Sequence, residues 1–137
     1  MNTEQAQARV LVLHCAESGK KALSRMAESG RKIAESIVPF ELPCTGRINE
    51  VMLMETLQNG FDGVLVVGCH RDNCRYLDGN LRAERRIDRI RNLLSEAGVP
   101  DKAVEMVFIS PDEGRKLYES IVGFTKKLKE LKERVTS

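Results

Sequence analysis

The sequence predicts an α/β fold: a single-domain, open, mostly parallel sheet of about four strands with helices on both faces, of the Rossmann or flavodoxin-like kind. Three observations predict it. Short apolar runs alternate with longer amphipathic stretches along the chain. The run DGVLVVGC (62–69) is apolar at consecutive positions, as a strand buried on both faces requires. Finally, the 137 residues contain no linker, repeat or low-complexity segment, so residues 1–137 read as one domain with a core at about 9–132.

Each element follows from its residues. RVLVLHC (9–15) is a short β-rich apolar run and predicts the first strand. Residues 20–36 predict a helix that Gly30 weakens. IVPFELPC (37–44) predicts a second strand, and Pro39 places it at an edge, because proline cannot donate to a ladder. Residues 46–60 predict a helix with Ile48, Val51, Met52, Met54, Glu55 and Leu57 along its apolar face, ended by Asn59-Gly60. After the strand at 62–69 comes a helix over 80–98, with Leu81, Ile87, Ile90, Leu94 and Ala97 on one stripe. AVEMVFI (103–109) predicts the fourth strand. The last helix is predicted from Ser110, with Ser110 as N-cap, Pro111 at the first helical position and Glu113 completing a capping box.

Composition excludes several roles. Hydrophobic residues are 42% and charged residues 31%, the balance of a globular protein. The net charge of +2 implies no strong field toward nucleic acid or membrane. Aromatics are 4% with no Trp, too few for a base-stacking platform. No G-x-G-x-x-G or P-loop pattern occurs, so neither a dinucleotide nor ATP is indicated. The N-terminus has no basic region before a long apolar run, and no stretch nears the ~20 apolar residues of a membrane span. A cytoplasmic location is therefore expected, where four cysteines are not expected to form structural disulfides.

The cysteines carry the chemistry. Cys15 and Cys44 fall at the ends of the first two predicted strands, Cys69 ends the third, and Cys74 lies in the loop after it. In an open α/β sheet these ends share one edge, and ligands bind in the crevice there. Four converging thiolates suit a tetrahedral zinc ion or a [2Fe–2S] cluster. The spacing Cys69-x4-Cys74 is longer than most zinc knuckles and also occurs in plant-type ferredoxins. Inert buried thiols, a redox pair, or a nucleophile beside His70 are the alternatives that the residues leave open. His14 and His70 each adjoin a cysteine, as a ligand or as a group that supports the site. Gly46, and the turn Asp78-Gly79-Asn80 with Asn80 as N-cap, offer backbone N–H groups near the thiolates. Arg82, Arg85, Arg86, Arg89 and Arg91 then line one helix, either as a solvated face paired with Glu84 and Asp88 or as a dock for an acidic partner.

These motifs resemble a known family. Gly68, Cys69, His70, Cys74, Tyr76, Gly79, Asn80, Arg85 and Arg86 match a pattern of the iron–sulfur delta subunit of methyl-viologen-reducing hydrogenase, which is found with heterodisulfide reductase complexes. Cys44, Gly46, Arg47 and Ile48 match a second segment, and Ser110 and Glu113 a third. The resemblance covers about residues 9–132. It departs at LHCAES, where the family commonly has a C-C-x-x-C stretch and this chain keeps Cys15 alone, with His14 and Ser18 nearby. The resemblance implies a non-catalytic electron-transfer subunit with a [2Fe–2S] cluster on Cys15, Cys44, Cys69 and Cys74. Its implied partners are a hydrogenase or other oxidoreductase module and the flavin subunit of a heterodisulfide reductase-like complex. The competing expectations are a zinc-stabilised or clusterless docking module, and a thiol redox protein using Cys69 and Cys74.

Overall fold

The computed structural model describes residues 8–15, 18–31, 35–42, 49–68, 79–96 and 101–136. Its strands are β1 (Val10–Cys15), β2 (Ile37–Leu42), β3 (Gly63–Gly68) and β4 (Val104–Phe108). All pair in parallel, in the order β2-β1-β3-β4. The helices are α1 (Ser18–Glu28), α2 (Glu50–Gln58), α3 (Gly79–Glu96) and α4 (Gly114–Thr136), and a single 3-10 turn, Asp101–Ala103, leads into β4. The expected single parallel sheet with helices on both faces is what the chain forms.

Alternation along the strands feeds two cores. Val10 and Val12 of β1 with Leu65 and Val67 of β3 pack on Ala22 and Met26 of α1 and on Leu117, Ile121, Phe124 and Leu128 of α4. Leu13, Val64 and Val66 face the other way, onto Leu53 of α2 and Ile87, Ile90 and Leu94 of α3. Each of these side chains larger than alanine contributes about 1.5–3 kcal/mol by leaving water. At the amino edge, Arg9 N–H donates to Asp62 Oδ2 at 2.7 Å and Asp62 N–H donates to Arg9 O at 2.7 Å. The Arg9 guanidinium also lies 4.6 Å from the centre of the Phe61 ring.

β2 is an edge strand, as Pro39 predicts. Val10 N–H donates to Ser36 O at 3.0 Å, so residues 36, 38 and 40 turn their backbone groups toward β1. Those of 37, 39 and 41 face outward, and Pro39 supplies no donor there. This blunts an edge that would otherwise invite pairing. Val38 and Phe40 remain exposed beside it.

Helix ends and faces differ from expectation at four places, each for a local reason. α1 stops at Glu28 rather than running to Ser36, because Gly30 adopts φ +83° and closes a Schellman motif. Arg31 N–H donates to Met26 O at 3.2 Å and Gly30 N–H to Ala27 O at 3.0 Å. In α2 the fully buried residue is Leu53, while Val51 is 64% exposed. Nine residues with an apolar majority carry too little contrast to reveal the buried side. α3 begins at Gly79, so Asn80 lies inside its first turn instead of capping it. α4 begins at Gly114, and Pro111 belongs to a turn closed by Glu113 N–H donating to Ser110 O at 3.0 Å. Proline suits the second position of such a turn. The capping-box bond survives as Ser110 N–H donating to Glu113 Oε1 at 2.8 Å.

The α2 assignment has a direct check. Leu53→Ala is expected to cost about 2–5 kcal/mol, and Val51→Ala to stay within about 0.5 kcal/mol, in denaturant unfolding. Equal losses would mean that α2 presents a different face to the sheet.

Candidate metal centre

Strand register sets where the chain leaves the sheet. Cys15 is the last residue of β1 and pairs with Leu42, the last residue of β2. On its other side, His14 pairs with Val67, which brings Gly68 level with Cys15. Cys44 follows Leu42 by two residues, and Cys69 follows Gly68 directly. Adjacent strands lie about 4.8 Å apart. Cys15 therefore ends the middle of three neighbouring parallel strands, and two more cysteines follow its neighbours off the same edge. Cys74 is in the segment that joins this edge to α3. Cys44, Cys69 and Cys74, with Gly46 and His70, lie outside the described residues.

The edge is also a topological switch point. The chain leaves β1 through α1 onto one face and leaves β3 through α3 onto the other. Helices that diverge from adjacent strands open a crevice between them, where α/β sheets bind ligands. Among the described residues no group of three or more His, Cys, Asp or Glu converges.

The remaining candidates fall around this crevice. His14 is 6% exposed and is the buried polar residue of the described core. The first turn of α1 covers it at Gly19, where an added Cβ would stand 2.8 Å from His14 Cβ. Sequence reasoning passed over Gly19. A lone small residue in a helix carries no periodic signal, and only its place four residues after Cys15 hinted at it. Asn49 caps α2 at the same edge, its Oδ1 accepting from Met52 N–H at 2.9 Å. Ile109 N–H donates to Gly68 O at 2.8 Å. That carbonyl belongs to the peptide leading into Cys69, so the exit of β4 holds the chain where Cys69 begins.

Gly79 and Asn80 form the start of α3. Arg85 and Arg89 are exposed and Arg86 is half-buried, while Ile87 and Ile90 on the same helix are buried. Arg86, Arg89 and Glu84 make interactions within the chain. The side chain of Arg82 lies outside the described residues. Arg91 stands apart, its Nε donating to Val104 O at 2.7 Å and tying α3 to the start of β4.

Comparison with known proteins identifies the family. The family described as methyl-viologen-reducing hydrogenase, delta subunit, matches residues 10–132. The vhu iron-sulfur subunit of the F420-non-reducing hydrogenase of Methanopyrus kandleri is 32% identical over 123 residues, covering 89% of this chain and 93% of that one. The iron-sulfur subunit of the F420-non-reducing hydrogenase of Archaeoglobus profundus is 39% identical over 90 residues, 66% of each chain. One subunit of the ferredoxin:CoB-CoM heterodisulfide reductase of Methanosarcina mazei is 39% identical over 88 residues, which are 64% of this chain but only 11% of that protein.

The arginines divide by role, and stability separates them. Arg91→Ala removes a part-buried charged donor and is expected to cost about 1.5–3 kcal/mol. Arg85→Ala, at an exposed position, should stay within about 0.5 kcal/mol in urea unfolding.

Proposed function

The chain belongs to the family of methyl-viologen-reducing hydrogenase delta subunits, and on that premise we propose that it is an electron-transfer subunit holding a [2Fe–2S] cluster on Cys15, Cys44, Cys69 and Cys74. The observation that carries this reading is the strand order. β1 lies between β2 and β3, so three neighbouring strands end at one edge, and in sequence Cys15 is the last residue of one while Cys44 and Cys69 follow the other two within two residues. The donor chemistry fits, because four soft thiolates suit iron–sulfur or zinc and disfavour magnesium and calcium. The names of the hydrogenase relatives, which are iron-sulfur subunits, favour the cluster over zinc.

When bound, the cluster supplies one-electron transfer. The chain's own residues do the rest. The buried ends of β1 and β3 keep water from the inner side of the crevice. His14 fills the space beneath the first turn of α1. Backbone N–H groups near Gly46, Gly79 and Asn80 are suited to donate toward sulfur, which raises a cluster's potential. No general acid, base or nucleophile is required.

Electrons would pass between a hydrogenase or other oxidoreductase module and the flavin subunit of a heterodisulfide reductase-like complex. The match inside the much longer heterodisulfide reductase chain supports that neighbourhood, since there a similar segment is part of the larger protein. Arg82, Arg85, Arg86 and Arg89 are the proposed contacts to an acidic partner surface. Among the described residues no helix is long and apolar enough to cross a membrane, and an assembly in the cytoplasm fits this reading.

Anaerobically prepared protein is expected to absorb in the visible and to contain about two iron and two sulfide per chain. Replacing any one of the four cysteines by Ser should lower both, whereas Arg85→Glu should weaken partner binding and leave iron unchanged. Colourless protein holding zinc would replace this reading with a zinc-stabilised docking module. Metal-free protein whose Cys69→Ser variant loses a thiol-dependent activity would replace it with a thiol redox protein. Iron retained in full by Cys15→Ser would remove Cys15 from the ligand set.

A further inference from the structure

The connection from β1 to α1 is two residues long, Ala16 and Glu17. The helix that follows is pressed at once against the strand it has just left. Gly19, the second residue of α1, is buried. A Cβ at Gly19 would lie 2.8 Å from His14 Cβ, 3.5 Å from its Cα and 3.6 Å from its carbonyl carbon. Unstrained carbon contacts begin at about 3.5 Å. The obstruction is a Cβ rigidly fixed to the backbone, which cannot swing aside as the far end of a long side chain would.

His14 cannot retreat either. Its backbone is held in β1 between Glu41 of β2 and Val67 of β3, and its side chain is 6% exposed. Any residue larger than glycine at position 19 must therefore move the start of α1 or the end of β1. The His14 carbonyl carbon is one atom of the peptide bond to Cys15, so the second movement is transmitted directly to Cys15. The first is transmitted through only two residues.

We infer that Gly19 is a positioning residue for Cys15: its seat on His14 fixes the start of α1 against the end of β1 and so the place at which Cys15 leaves the sheet. The inference rests on the proposed ligand role of Cys15. Gly114 gives an internal control. A Cβ there would lie 2.9 Å from Met26 N and 3.1 Å from Ala22 O, so it too marks a close approach, but between α4 and the middle of α1.

The test compares anaerobically prepared Gly19→Ala and Gly114→Ala chains with the unaltered one. Gly19→Ala is expected to keep most of its iron while its midpoint potential and electron paramagnetic resonance g-values shift. Gly114→Ala is expected to lose stability and keep the unaltered signature. In metal-free chains, alkylation by iodoacetamide, mapped residue by residue, should change several-fold at Cys15 alone in Gly19→Ala. A glycine inserted between Glu17 and Ser18 leaves the seat intact but slackens its link to Cys15. It should give the same Cys15-specific change, and it carries the test if Gly19→Ala does not fold. Unaltered potential, spectrum and Cys15 alkylation in these variants would overturn the proposal. An unaltered chain without iron or sulfide overturns the cluster reading instead, and the alkylation comparison still decides the seat.

Discussion

The register of β3 against β1 is the constraint on which the site depends. β3 is buried at all six positions and apolar on both faces. Usually a one-residue slip is forbidden because it turns polar residues inward. Here a slip would exchange Val64 and Val66 with Leu65 and Val67, and polarity would hardly oppose it. Two other features fix the alignment. The reciprocal hydrogen bonds of Arg9 and Asp62, each 2.7 Å, tie the residues just before both strands. Gly63 lies so close to Leu128 and to the Ala103 carbonyl that no side chain fits there, and a slip would bring Val64 or Asp62 into that space. A slip would also displace the end of β3 at Gly68 from the end of β1 by about 3.3 Å, the rise of one strand residue. The amino edge of the sheet thus determines geometry at the carboxyl edge.

Helix placement follows from similar close approaches rather than from surface charge. α1 is seated at Gly19 on β1 and at its middle by Gly114 of α4. The ion pairs outside these contacts, such as Lys20–Glu41 at 3.7 Å and Arg115–Glu119 at 3.4 Å, join largely exposed side chains. Such pairs contribute at most about 1 kcal/mol each. Contacts that admit no Cβ are more exacting, because interiors pack like crystals and a methyl group has nowhere to go.

The strands were legible in the sequence because burial leaves a direct trace: runs of Val, Leu and Ile bounded by Gly, Asp and Pro. The edge position of β2 was legible through Pro39 alone. Helix limits were less so. Gly30 read as a weak point inside a helix, since sequence shows a glycine but not its positive φ. Val51 read as apolar and inward, although α2 turns Leu53 to the sheet and Val51 to water. At the site, the placement of cysteines beyond strand ends followed from the strand pattern, and the observed order of β2, β1 and β3 makes three of those ends neighbours. Gly19 was not legible, because its role depends on how closely a helix returns to its own strand.

β4 leads to no cysteine, yet the crevice requires it. Without β4, the backbone of β3 would have an open edge and the carbonyl of Gly68 would lose the Ile109 N–H that holds it at 2.8 Å. That carbonyl fixes the peptide plane entering Cys69. The turn after β4 then matters as more than a helix start. Glu113 satisfies the Ser110 N–H with its carboxylate, while its own N–H closes on Ser110 O. These two bonds hold residues 110–113 in one conformation directly after Ile109. The Ser-x-x-Glu segment, which reads from sequence as a capping box, therefore also steadies the exit of β3. The candidate edge of this parallel sheet is thus built partly by a strand that leads to no cysteine.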